Sequence, residues 1–267
     1  MIETHLSLLL VVIPLMAAPV TAILPNGRLP WLLTLLVSWL CFALAIWQFA
    51  LVMDGSVISY ELGGWAPPWG IEYRIDTVNA FVALIVAGMA AITLPYAMLS
   101  VEQEIPKDKL SLFYATFLLC MDGLLGITLT GDIFNLFVFL EISSLASYAL
   151  ISMGRQRRAL TATYQYLIMG TIGATFLLIG IGLIYAETGT LNMTDLSARL
   201  PAVFEHRTVH TAFAFIVVGV GLKLAMFPLH LWLPNAYTYS PSAVTVFLAA
   251  TATKVAVYVM LRLVFTV

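Results

Sequence analysis

Eight stretches of this chain, at about 5–24, 30–53, 77–100, 110–130, 133–153, 160–186, 209–228 and 241–265, run for twenty residues or so with hardly a charge. A helix needs roughly 20 apolar residues to cross the hydrocarbon core of a bilayer. Only 10% of the 267 residues are charged and 61% are apolar, whereas an average soluble domain is about a quarter charged. So few charges cannot wet a globule of this size, and lipid must be the solvent for most of the chain. A transmembrane barrel would show alternating segments of roughly ten residues, and runs such as Leu177 to Ile184 do not alternate. The sequence specifies an all-α membrane protein of about eight transmembrane helices.

The same arithmetic excludes other classes. A net charge of −2 offers no basic surface for nucleic acid. The two cysteines, Cys41 and Cys120, lie inside apolar runs and imply no disulfide scaffold. The first run lacks the basic start and cleavage site of a signal peptide, having Glu3 and His5 ahead of Pro14 and Pro19, and reads as a retained first span. The longest connections, about 54–76 and 187–208, leave no soluble domain. With the N-terminus outside, Arg28, Lys107, Lys109, Arg155, Arg157 and Arg158 fall inside, against Arg74, Arg199, Arg207 and Arg262 outside. That bias sets the expected orientation.

Four ionisable residues sit well inside the expected spans: Asp122, Glu141, Lys223 and Lys254. Each costs a few kcal/mol at mid-bilayer unless it faces the bundle interior or water. One acid and one lysine make a structural pair; two lysines and one or two acids on successive helices exceed that need. Glu141 lies about nine residues into span five, followed by Ser143, Ser144 and Ser147, which can bond water or neighbouring helices. Lys223 lies late in span seven and Lys254 near the middle of span eight. Directly after Lys223, Pro228 and Pro234 bracket His230. Proline inside a helix removes a hydrogen bond and clashes with the previous turn, and transporters use broken helices at ion sites. Span seven is therefore expected to be discontinuous over Phe227-Pro-Leu-His-Leu-Trp-Leu-Pro.

These residues suit proton handling. Desolvation disfavours an ammonium's charge and a nearby carboxylate restores it, so a lysine held between the two exchanges a proton as its partner moves. Glu141 is the candidate partner of Lys223, Lys254 the next station, and His230, with a reference pKa of about 6.5, a relay or a helix-end residue satisfying carbonyls. The three side chains on helices five, seven and eight are expected to converge on one hydrated cavity. Asp122 is either a second proton site or a neutral, hydrogen-bonded acid, and Asp132 a helix cap or a minor site. His206 and His210 have i, i+4 spacing but no evident third ligand, so no metal is expected there. Trp31, Trp39, Trp65 and Trp69 read mostly as interfacial anchors. No glycine-rich phosphate loop, cysteine cluster or nucleophile elbow occurs, so no cofactor, nucleotide site or redox centre is expected, and the chain reads as a transporter subunit rather than an enzyme.

The run Leu-Thr-Gly-Asp132-Ile-Phe-Asn-Leu-Phe-Val-Phe-Leu-Glu141-Ile-Ser-Ser resembles the fifth span of the antiporter-like subunits shared by multisubunit cation/proton antiporters and respiratory complex I. Gly-Leu-Lys223-Leu-Ala-Met-Phe-Pro-Leu-His230-Leu-Trp-Leu-Pro-Asn-Ala-Tyr-Thr-Tyr-Ser-Pro-Ser, continued by Ala-Thr-Lys254-Val-Ala-Val-Tyr, resembles the diagnostic stretch of that family, in wording nearest the D-type branch found in Mrp-type monovalent cation/proton antiporters. The resemblance implies that Glu141 is the acid of the family's pair, Lys223 its lysine, Lys254 the central-axis lysine and His230 a residue of the broken helix. It also implies two inverted five-helix repeats in the whole family fold. Here residues 1–109 read as an N-terminal three-helix segment and 110–267 as the first repeat, with no counterpart of the second. The implied function is a proton half-channel in a monovalent cation (Na+)/proton antiporter of the bacterial inner membrane. Its implied partners are other membrane subunits, including a separately encoded second half. Two alternatives stay open: a proton-pumping subunit of an NADH:quinone oxidoreductase or membrane-bound hydrogenase, and a truncated assembly subunit without transport.

Overall fold

A computed structural model describes residues 2–265, the side chains of residues 2–4 apart; the terminal residues of the expected segments and the Glu3 side chain lie outside the described residues. Eight helices are long and apolar enough to cross a membrane. They are α1 (Ile2–Ile23), α2 (Arg28–Val52), α3 (Thr77–Glu104), α4 (Leu110–Leu129), α5 (Ile133–Ser152), α6 (Arg157–Thr188), α8 (Arg207–Leu224) and α10 (Ser242–Phe265). Two shorter helices, α7 (Met193–Val203) and α9 (Trp232–Tyr239), complete the set among the described residues. The protein is an all-α membrane bundle. α1 continues through Pro14 and Pro19, and α3 through Pro95.

α4 is the axis. It packs against α1, α2, α3, α5 and α10, and 83% of its apolar window is buried, against 39% for α1, α2 and α6. Those outer helices carry apolar side chains outward, such as Leu36, Trp39 and Ile168, as lipid-facing surfaces require. The tightest neighbours of the site are α6 and α8. A Cβ added at Gly219 would lie 2.7 Å from the carbonyl oxygen of Gly173 and 2.7 Å from the Leu177 nitrogen. Only glycine lets the two backbones approach this closely, the small-residue packing that membrane helices use.

The 54–76 connection is more ordered than its sequence suggests. Strands β1 (Ile58–Glu61) and β2 (Glu72–Ile75) pair antiparallel, with Ile58 opposite Ile75. Tyr73 in turn bridges to Thr130, and Asp132 to Asn192, so the turns after α4 and α6 line up beside the hairpin. Glu72, buried here, accepts from Ser59 Oγ (2.8 Å) and Asn192 Nδ2 (3.1 Å). Capping fixes where the neighbouring helices begin: Asp76 and Asn79 form a capping box for α3, and Asn192 caps α7. Trp39, Trp65 and Trp69 are exposed. Trp31 instead donates from Nε1 to the Leu94 carbonyl (2.9 Å), binding α2 to α3 rather than only anchoring at an interface.

Candidate functional site

Span seven is broken over residues 225–231, which include Pro228, but its first helix ends before that proline. α8 stops at Leu224, and Ala225 takes a left-handed conformation (φ 57°). The Ala225 amide bonds the Leu222 carbonyl (3.2 Å) and the Met226 amide bonds the Gly221 carbonyl (2.9 Å), a Schellman closure with alanine where glycine is usual. The chain resumes as α9, where Pro234 occupies the first turn and so forfeits no intrahelical bond. Trp232, buried, donates from its indole Nε1 to the Leu222 carbonyl (3.0 Å) across the break, and its ring stacks on Tyr166 of α6 at 3.9 Å and 3°. We expect Trp232→Ala to cost about 3–5 kcal/mol of stability, as large buried aromatic truncations do, and Trp232→Phe only ~0.5–1.5 kcal/mol for the lost hydrogen bond. Melting temperatures in detergent check the order.

The break leaves Lys223 in the last turn of α8, where the negative end of the helix dipole favours a cation. Its side chain is 5% exposed, and Nζ donates to Glu141 Oε1 at 3.1 Å and to Ser144 Oγ at 2.7 Å. Glu141 and Ser144 stand three residues apart on one face of α5, which is why both reach the same ammonium. The acid is the wetter partner, with 27% of its side chain exposed. Ser143, Ser144 and Ser147 line a cavity of about 20 Å³ beside Lys223, closed by Tyr166, Ala252, Val255 and Ala256. That is room for about one water.

Of the three charges expected to converge on one cavity, Glu141 and Lys223 meet each other, but only Lys223 lines the cavity and Lys254 does not join them. Lys254 is exposed, and its Nζ bonds the Ala249 carbonyl (2.6 Å) and Thr253 Oγ1 (3.4 Å) of its own helix. Helical periodicity explains this. Thr251, Val255, Tyr258 and Val259 form the inward stripe of α10, whereas Lys254 shares the outward stripe with Val257 and Leu261. His230 lies in the linker after the break, half-buried, with Nδ1 buried and without a partner among the described residues. Its ring is 5.6 Å from that of Phe227, and it bonds none of the other candidates.

Asp122 is fully buried in α4, and neither carboxyl oxygen has a hydrogen-bond partner among the described residues. The hydrogen bond expected for a neutral acid there is absent among the described residues. Asp132 is the N-cap of α5, Oδ1 accepting from the Asn135 amide at 2.7 Å. Burial pushes its carboxyl above the usual carboxylate range, against the downward pull of the amide bond. Asp132→Ala is expected to cost ~0.5–2 kcal/mol and Asp132→Asn far less, since asparagine caps as well; chemical denaturation resolves the two. His206 faces Glu187 (Nδ1 to Oε2, 2.8 Å) rather than His210. Sequence reasoning missed Tyr166, which lines the cavity, and Trp232 stacked on it; Trp232 flanks the break, but nothing in the sequence points to Tyr166 within α6.

A buried lysine–glutamate pair beside a broken helix, inside an eight-span bundle with no domain outside it among the described residues, defines an antiporter-like membrane subunit. The family profile described as "NADH:quinone oxidoreductase/Mrp antiporter, TM" matches residues 130–267. The chain belongs to that family. It is 44% identical over 266 residues to NADH-quinone oxidoreductase subunit N of Desulforudis audaxviator (98% of this chain, 53% of the relative). It is 33% identical over 211 residues to the D subunit of a Na(+)/H(+) antiporter of Bacillus subtilis (79% and 42%). Among solved structures, a chain of the membrane-bound sulfane sulfur reductase, an archaeal respiratory membrane complex, superposes with a TM-score of 0.90 at 34% identity, over 97% of this chain and 53% of that one. The chain thus spans about half the length of the curated relatives it matches.

Proposed function

We propose that this chain is a proton-translocating subunit of a larger membrane complex, and that Glu141 and Lys223 are its working pair. The observation that carries the reading is the 3.1 Å contact between a 5%-exposed ammonium and a 27%-exposed carboxylate at a helix break. One partner is dry and the other reaches water, so a change in hydration or packing at Glu141 alters how well the Lys223 charge is held. Ser144 gives the ammonium a second acceptor, and the adjacent one-water cavity gives a departing proton somewhere to go.

Lys254 enters as a connection to what lies beyond this bundle. A charge on an outward stripe is costly against acyl chains, so the face of α10 carrying Lys254, Val257 and Leu261 is read as covered by further helices. Those are a second antiporter-like half, in the same polypeptide or a separate one. His230, beside the break, is the relay candidate. Residues 110–267 are read as one five-helix repeat behind the three-helix segment 1–109, with the N-terminus outside and the membrane bacterial.

Two assemblies use such a half-channel. The motif wording and the similarity to the Bacillus subtilis antiporter protein support a Na+/H+ antiporter. The higher identity, over nearly the whole chain, to an oxidoreductase subunit and the 0.90 superposition on a respiratory complex support a redox-driven one, and this second assembly has the stronger support. Inverted vesicles carrying the intact complex distinguish them. A pH-sensitive dye that responds to an electron donor indicates the redox-driven assembly, and a response to a sodium or potassium pulse indicates the antiporter. A response to neither overturns proton translocation.

A further inference from the structure

Two cavities share α7 and α10 at the hairpin end of the bundle. The first, of about 100 Å³, is polar: Arg74 of β2 and Arg262 of α10 line it with Thr130, Thr194 and Ser197. Arg262 spends its Nε on Tyr258 Oη (2.9 Å) and one terminal nitrogen on Asp76, two of the five donors a guanidinium carries. The Arg74 guanidinium has no carboxylate within 4 Å and no hydrogen bond among the described residues; its backbone carbonyl accepts from Asn79 Nδ2. Asp76 is paired to Arg262, and buried Glu72, two residues before Arg74 on β2, balances the second arginine, so what the cavity offers is unspent guanidinium donors rather than excess charge. The second cavity, of about 340 Å³, is apolar. Leu200 of the same α7, Leu263 of the same α10, and Phe213 and Ile216 of α8 line it.

A polar cavity with unspent guanidinium donors attracts phosphate, which arginine binds through paired N–H bonds. Inorganic phosphate would have no use for the apolar cavity beside it. A molecule with a phosphate at one end and a hydrocarbon chain at the other fits both, and at this level, where α3, α5 and α8 begin and α10 ends, such molecules are the solvent. We propose that α7 and α10 hold one anionic phospholipid, its phosphate bound by Arg74 and Arg262 and an acyl chain lodged against Leu200, Phe213 and Leu263.

The test uses membranes carrying the intact complex and photoactivatable phosphatidylglycerol, with a phosphatidylcholine probe alongside. Mass spectrometry of the labelled chain should place the glycerol probe on peptides from α7 and the end of α10. Arg74→Gln should lower that labelling about tenfold, the loss of one strong charge-assisted contact, at unchanged abundance of the chain. Leu200→Trp, which fills the apolar cavity without touching a charge, should lower it as well and decides the matter if Arg74→Gln fails to accumulate. Unlabelled phosphatidylglycerol should compete, and millimolar inorganic phosphate should not. Displacement by phosphate, equal labelling by the choline lipid, or undiminished labelling of the variants overturns the assignment.

Discussion

Lys223→Met is expected to cut proton flux through the reconstituted complex at least about tenfold, a barrier increase of ~1.4 kcal/mol, while the chain still accumulates in the membrane. Glu141→Ala should abolish flux too but also lower abundance. The asymmetry follows from burial. Removing the ammonium leaves a carboxylate that is 27% exposed and can be hydrated; removing the carboxylate leaves a 5%-exposed ammonium with only Ser144 for company. Breaking a buried pair by deleting one partner costs about 3–5 kcal/mol, because an uncompensated charge stays inside, and here that cost falls on Glu141→Ala. The double variant, Glu141→Ala with Lys223→Met, should regain abundance and still carry no flux. Quantitative immunoblotting of membranes and dye-monitored flux in vesicles give the two readouts. A pair that is only structural behaves otherwise: the double variant then recovers flux along with abundance.

Much of this was legible in the residues alone, for a physical reason. Apolar runs of membrane length and intramembrane charges are unmistakable, since lipid penalises every exception. The eight spans, the broken seventh span and the contact between α5 and α8 follow from that penalty. The position of the break does not. Pro228 and Pro234 advertise it, yet α8 stops at Leu224 through a left-handed alanine, a conformation costing about 1–2 kcal/mol that no residue type there announces. The hairpin at 58–75 and helix α7 were hidden in polar-looking connections because backbone pairing of Tyr73 with Thr130, and of Asn192 with Asp132, partners remote in sequence, makes them ordered.

Lys254 is a different case. Its outward direction was available from helical spacing, because Thr251, Val255 and Tyr258 mark the buried stripe and residue 254 stands off it. Resemblance to a family whose lysines lie on one axis pointed the other way. For Asp122 the gap is one of chemistry: a buried carboxyl reads as hydrogen-bonded by default, and only coordinates show that α4 offers it no partner among the described residues.

Gly219→Val is expected to disable the site without touching a charged residue. The added Cβ alone would sit 2.7 Å from the Gly173 carbonyl oxygen and 3.1 Å from the Leu177 Cα, and these are backbone atoms that no rotamer change can move. Overpacking usually costs about 1–3 kcal/mol, and a clash with a neighbouring helix backbone belongs at the upper end, so α8 must shift away from α6. Lys223 lies one helical turn beyond Gly219, and a displacement of an ångström there exceeds what its 3.1 Å bond to Glu141 tolerates. The expected result is a melting temperature lowered by several degrees together with flux reduced about as far as in Lys223→Met. Gly182 of α6 is the matched control: its added Cβ would meet nothing within 4 Å, so Gly182→Val should leave the contact intact and flux near wild type. Equal loss in the two glycine variants would mean that α6 itself, rather than its close approach to α8, carries the effect.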